Sequence, residues 1–144
     1  MQTLKDKTMA KKFLIVDERA VARHVIRKAA ATPHDTVLEC VTADEAHRAV
    51  GVFQPDCVLM GVTLPAPNTL KVIKSIRKTY PDVRVVAVST FDETESRRAA
   101  VEAGASAYVT TENLSELFLL AAPERLMEKT NQEVYRQMAG AEIS

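Results

Sequence analysis

Short aliphatic runs and stretches of helical periodicity take turns five times between Phe13 and Ala122. The runs are Phe13-Leu14-Ile15-Val16 and residues 37–41, 56–60, 83–88 and 107–109. Between them, Ala22, Val25, Ile26 and Ala29 recur at helical spacing and predict a helix over 19–31, broken by Thr32-Pro33-His34-Asp35. Thr42, followed three residues later by Glu45, is a capping box that opens a helix reaching about Phe53. Val72, Ile73, Ile76 and Tyr80 give an apolar face to a helix over 69–79, which Pro81 ends. Asp92 with Glu95 signals a fourth helix start, Gly104 its stop, and Asn113 with Glu116 a fifth start. Strands this apolar are buried on both faces, and strand–helix alternation places them in a parallel sheet with helices on either side.

Composition sets few further limits. Across 144 residues, 47% are hydrophobic and 26% charged, as in an ordinary globular domain. Nineteen basic residues balance nineteen acidic ones, so no overall positive field draws nucleic acid. No apolar run approaches the roughly 20 residues that span a bilayer, and the N-terminus lacks a signal-peptide core, so a cytoplasmic location is expected. Cys40 and Cys57 fall in separate strands and read as small core residues. His24, His34 and His47 fall on helix or loop surface.

The ends of the chain depart from the alternation. Residues 1–10 carry no periodic pattern and read as a flexible extension, with Met9 resembling a natural start as well as Met1. Residues 11–122 form the domain. Pro123 interrupts the last helix, and 123–144 read as a helical extension with Met127, Val134, Tyr135 and Met138 on one face.

Four segments resemble the receiver domains of response regulators, the CheY-like modules of two-component signalling, and the NarL-type branch in particular. They are Phe13-Leu14-Ile15-Val16-Asp17-Glu18, the run Pro55 to Pro65, Val85 to Asp92, and Gly104 to Val109. The resemblance covers about residues 11–122. It implies a flavodoxin-like (βα)5 three-layer α/β sandwich with strand order 2-1-3-4-5, an order for which CheY is a standard example.

The same resemblance assigns the working residues and reveals what is missing. Receivers accept a phosphoryl group on an aspartate at the end of the third strand; Gly61 stands there. They hold the phosphoryl oxygens with a lysine after the fifth strand; Thr111 stands there, followed by Glu112. Asp17 and Glu18 match the acidic pair that binds Mg²⁺, now without a third carboxylate. A weak, incomplete metal site is expected, and no other cofactor. The plainer reading has both acids solvated or paired with Arg19 or Arg23. Ser89 and Tyr108 match the switch hydroxyl and switch aromatic, with an outward or edge position expected for the Tyr108 ring.

No other residue replaces the acceptor. Asp56 lies roughly 16 Å from Gly61 along the strand, at its wrong end. Thr63, Thr110 and Thr111 are unactivated hydroxyls. The chain therefore reads as a non-enzymatic, degenerate receiver acting through protein contacts without phosphorylation. Its expected partner face is formed by the fourth helix, fifth strand and fifth helix, with Phe91, Tyr108, Leu117 and Phe118 as contacts. A partner protein or a second copy of the chain would occupy it, with no nucleic acid or membrane. Two other readings are a phosphorylated regulator with an atypical acceptor and a small-ligand sensor using the emptied pocket. A DNA-binding role is disfavoured, since about 20 residues after Pro123 are too few for the NarL-type DNA-binding domain.

Overall fold

The computed structural model describes residues 10–62, 67–90 and 93–125. Five parallel strands form one sheet: β1 (Lys12–Val16), β2 (Thr36–Cys40), β3 (Cys57–Val62), β4 (Arg84–Ser89) and β5 (Ala107–Thr110). Their order is β2-β1-β3-β4-β5, as expected. The connecting helices are α1 (Ala20–Ala30), α2 (Ala43–Phe53), α3 (Pro67–Thr79) and α4 (Thr94–Ala103). After β5 come a 3₁₀ segment, Thr111–Glu116, and a short helix α5, Leu117–Ala121.

Strand side chains alternate between faces, so each strand feeds two cores. Phe13 and Ile15 of β1, Leu59 of β3 and Val88 of β4 pack with Ile26 of α1 and Leu117 of α5. Leu14, Val16, Met60 and Val85 pack on the other face with Val50, Ile73, Ile76 and Ala100 of α2, α3 and α4. Cys40 and Cys57 are buried free thiols, one in each core. Burial pushes the Cys57 thiol up to about 12, so it stays protonated and inert at neutral pH.

Local signals decide several boundaries. Thr42 Oγ1 accepts a hydrogen bond from Glu45 N at 3.3 Å, which caps α2. Gly104 ends α4 with φ 113°, a left-handed conformation that favours glycine. Two boundaries differ from expectation. β3 does not stop at Gly61 but continues to Val62, because Gly61 and Val62 pair with Val88 and Ser89 of β4. The capped helix expected from Asn113 is instead the 3₁₀ segment, kinked at Asn113 itself (φ −115°, ψ 31°). Its amide donates to Thr110 Oγ1 at 3.2 Å, so it bonds back to the strand end. Asp92, expected to begin α4, lies outside the described residues; the cap position is Glu93, without a side-chain bond.

The packed body extends past Pro123. Arg125 is buried, and its Nη2 lies 2.7 Å from Asp35 Oδ2. Its Nη1 donates to the carbonyls of Ala30 and Phe118. The same Asp35 carboxylate accepts from Lys11 N, Thr32 N and Thr32 Oγ1. The residues just before β1, the α1–β2 turn and the residues just after α5 thus meet at one charge pair. The Met127, Val134, Tyr135, Met138 stripe lies outside the described residues.

Candidate functional site

Asp17, Glu18, Gly61, Ser89 and Thr111 come from the C-terminal ends of β1, β3, β4 and β5, where open α/β sheets bind ligands. β1 and β3 run in register as far as Val16 and Met60, so the next residues, Asp17 and Gly61, sit side by side. Asp17 is 7% exposed and leans over the glycine. A Cβ built on Gly61 would stand 2.1 Å from Asp17 Oδ2 and 2.8 Å from its Cγ. The aspartate holds that place because Arg19 grips it. Arg19 N donates to Oδ1 at 2.8 Å, Nε to Oδ1 at 3.2 Å, and Nη2 to Oδ2 at 3.2 Å. Hydrogen bonding to Asp17 and its charge raise the Arg19 pKa further. The main chain of Asp17 is held as well: its N–H donates to Cys40 O, and its carbonyl accepts from Arg23 Nη1 at 2.8 Å.

The remaining residues divide by exposure. Glu18 is exposed beside the paired Asp17. Ser89 is buried at the end of β4, between Val62 and Thr110 in the sheet. Thr111 is exposed just beyond β5. Tyr108 is 6% exposed, which corrects the outward or edge position expected of it. The ring packs into the core on the α2–α4 side, and the Arg97 guanidinium lies over it, 4.8 Å from its centroid. Arg97 also donates to the Tyr108 carbonyl at 3.3 Å.

Two cavities flank Asp17. One, about 330 Å³, is lined by Glu18, Thr42, Asp44, Gly61 and Asn68. The other, about 410 Å³, lies between α1 and the end of β4, with Val21, Val25 and Leu114 as walls and Ser89 and Thr111 at its polar end.

Known proteins share this arrangement of strands. Residues 13–120 match the response regulator receiver domain. The chain belongs to that family. It is 32% identical over 99 residues to the uncharacterized transcriptional regulatory protein YhcZ of Bacillus subtilis, covering 67% of this chain and 46% of YhcZ. It is 24% identical over 102 residues to the chemotaxis protein CheY of Halobacterium salinarum, covering 71% of this chain and 85% of CheY. Among solved structures, a two-component response regulator of the LuxR family from Aurantimonas sp. SI85-9A1 superposes with a TM-score of 0.68 at 26% identity. That match covers 94% of this chain and 99% of the other. The chain spans about half the length of YhcZ and of the DNA-binding transcriptional activator DevR/DosR of Mycobacterium tuberculosis, 46% and 47%.

In this receiver domain the buried acid of the strand-end site is already engaged by an arginine. Mg²⁺ sites need converging oxygen ligands with charge to spare. Here both carboxylate oxygens of Asp17 are bonded to Arg19, while Glu18 and Asp44, which line the same cavity, are exposed. Among the described residues, no three His, Cys, Asp or Glu side chains converge on a point that could hold a metal. Asp17 and Glu18, the expected metal pair, are therefore an ion-paired acid and a solvated one.

The residues expected on the partner face of this receiver domain are also redistributed. Tyr108 and Leu117 are buried and Phe91 lies outside the described residues, which leaves Phe118, 38% exposed. The Phe118 ring stacks under the Arg125 guanidinium at 4.2 Å, and Arg125 holds the last carbonyl of α1, so the ring turns toward α1. Leu119, 37% exposed, is its exposed apolar neighbour. His24 and His34 are exposed; His47 is half-buried, 3.4 Å from Thr79 Oγ1 and tilted against Tyr80. Among the described residues, no helix is long and apolar enough to cross a membrane. The sequence points to Arg19 or Arg23 as a partner for the acids. It gives no signal for Arg97, which covers a ring eleven residues on, or for Arg125, whose partner Asp35 lies ninety residues back.

Proposed function

We propose that this receiver domain is a degenerate one that works as a protein-interaction module without being phosphorylated. The observation that carries the reading is the crowding at Gly61. Where the resemblance expects an acceptor aspartate, the chain has no side chain, and the neighbouring Asp17 fills the space in which one would begin. Thr111, in the lysine's place, offers a hydroxyl where phosphoryl transfer requires a positive charge. With neither nucleophile nor counter-charge, the domain has no covalent input, and its output rests on surfaces held in one arrangement. The buried Tyr108 under Arg97 supports a switch fixed by packing. Phe118 and Leu119 are the proposed apolar contacts on α5.

The test is affinity capture with the full chain as bait, with and without acetyl phosphate and Mg²⁺, alongside a Phe118→Glu, Leu119→Glu bait. The expected result is a partner captured equally in both conditions and lost in the variant. A partner that binds only after phosphodonor treatment contradicts the reading. The cavity beside Ser89 and Thr111 supports one further reading, a small-ligand sensor with an apolar wall and a polar end. A thermal-shift screen of amphipathic metabolites tests it. A ligand that raises Tm in the wild type, but not after Val25→Glu at the cavity wall, would favour it.

A further inference from the structure

We propose that the Arg19 guanidinium is the resident cation of the strand-end site, holding Asp17 over Gly61 where a receiver would use a divalent ion. The proposal rests on the phosphorylation-silent reading of that site and adds what keeps it silent. Three features of the chain depend on one another. Arg19 supplies three donors to one carboxylate and occupies both of its oxygens. The main chain of Asp17 is tied at its N–H and carbonyl to Cys40 and Arg23, so Arg19 has only the side chain to place. The position it is held in exists only because residue 61 has no Cβ, which would lie 2.1 Å from Oδ2. A guanidinium keeps its charge at every pH at which the protein is folded and matches a carboxylate as a planar fork, so the pair is neutral and geometrically complete. A hard cation would have to displace Arg19 to reach the buried carboxylate, the other acids of the cavity, Glu18 and Asp44, being solvated.

Cation binding should therefore be limited by Arg19 as well as by the missing third acid. Mn²⁺ serves as the probe, followed by electron paramagnetic resonance on the full chain, with circular dichroism confirming the fold of each variant. Wild type should bind Mn²⁺ about tenfold more weakly than Arg19→Gln, whose Asp17 is freed while residue 61 still leaves room for it. Identical binding by the two folded proteins overturns the proposal. Phosphorylation of the wild type by acetyl phosphate would defeat the functional reading and leave this result intact. An Mn²⁺ affinity indifferent to Arg19 would defeat only the resident-cation proposal.

Discussion

Two aspartate–arginine pairs mark opposite ends of the sheet. At the C-terminal ends of the strands, Asp17 is bonded to Arg19, two residues away, and half of the arginine side chain is exposed. At the N-terminal ends, Asp35 is bonded to Arg125, ninety residues away, and both side chains are buried, at 0% and 7% exposure. The first pair forms within one turn, closes no long loop and has a half-exposed arginine over a buried aspartate, so its contribution to stability is the smaller of the two. What it does is local: it neutralises an acid and seats it over a glycine. The second pair closes a ninety-residue loop and sits where neither charge can be solvated, so losing one member strands the other. The same chemistry thus sets the character of a site at one end and fastens the fold at the other. Burial and sequence separation make the difference.

The sharpest way to break that contrast is to remove the two arginines in turn. Arg125→Ala leaves Asp35 buried with only Lys11 N and Thr32 as donors. It also strips the cation from the Phe13 and Phe118 rings. The expected loss is about 3–5 kcal/mol, read from urea unfolding followed by circular dichroism. Arg19→Ala should cost clearly less than Arg125→Ala, because Arg19 is half exposed and Asp17 keeps the main-chain N–H of residue 19 as a donor and a cavity on either side. Comparable losses for the two would erase the distinction.

Gly61 falls between them. Gly61→Ala forces a Cβ into Asp17, and the expected destabilisation is about 1–3 kcal/mol. Gly61→Asp should cost at least as much, since a second carboxylate adds repulsion to the clash. In the Arg19→Ala background the cost of Gly61→Ala should fall, because Asp17 is then free to move. An additive double-mutant cycle would mean that the two positions are not coupled.

The smallest effect concerns pH. Burial alone would raise the Glu124 carboxyl, but hydrogen bonding and charge from Lys11, 2.6 Å away, outweigh it and hold the pKa below its ordinary value. A carboxyl lowered on folding stabilises the fold above its unfolded pKa. That contribution fades as pH falls through the folded value. With Glu124 45% exposed, the contribution is less than about 1 kcal/mol. Lys11→Met should therefore lower Tm slightly at pH 7 and have no effect at pH 2, as a pair of melting curves would reveal.

How far the sequence announces this molecule follows the same division between local and distant. The five strands, the Thr42 cap and the Gly104 stop are written in neighbouring residues, and the structure places them as expected. The end of β3 is harder to read, because glycine at 61 looks like a strand breaker, whereas pairing with β4 carries the strand on to Val62. Asn113 resembles a cap, but its amide finds a nearer acceptor in Thr110. An edge position is the natural expectation for Tyr108, because a buried phenol is costly. Arg97, a helix away in sequence, covers the ring, and no periodic pattern announces that contact. At the site, Gly61 and Thr111 are legible as the residues standing where the resemblance expects a carboxylate and a lysine. That Asp17 occupies the vacant space, and that Arg19 holds it there, depends on strand register and side-chain reach.

A phosphorylation-silent domain requires that no covalent input exists at Gly61. The most direct measurement is intact-protein mass spectrometry after incubation with acetyl phosphate and Mg²⁺, with samples kept at neutral pH to preserve acyl phosphates. An unchanged mass is predicted for the wild-type chain. A stoichiometric gain of one phosphoryl group, labile to hydroxylamine as an acyl phosphate is, would contradict it.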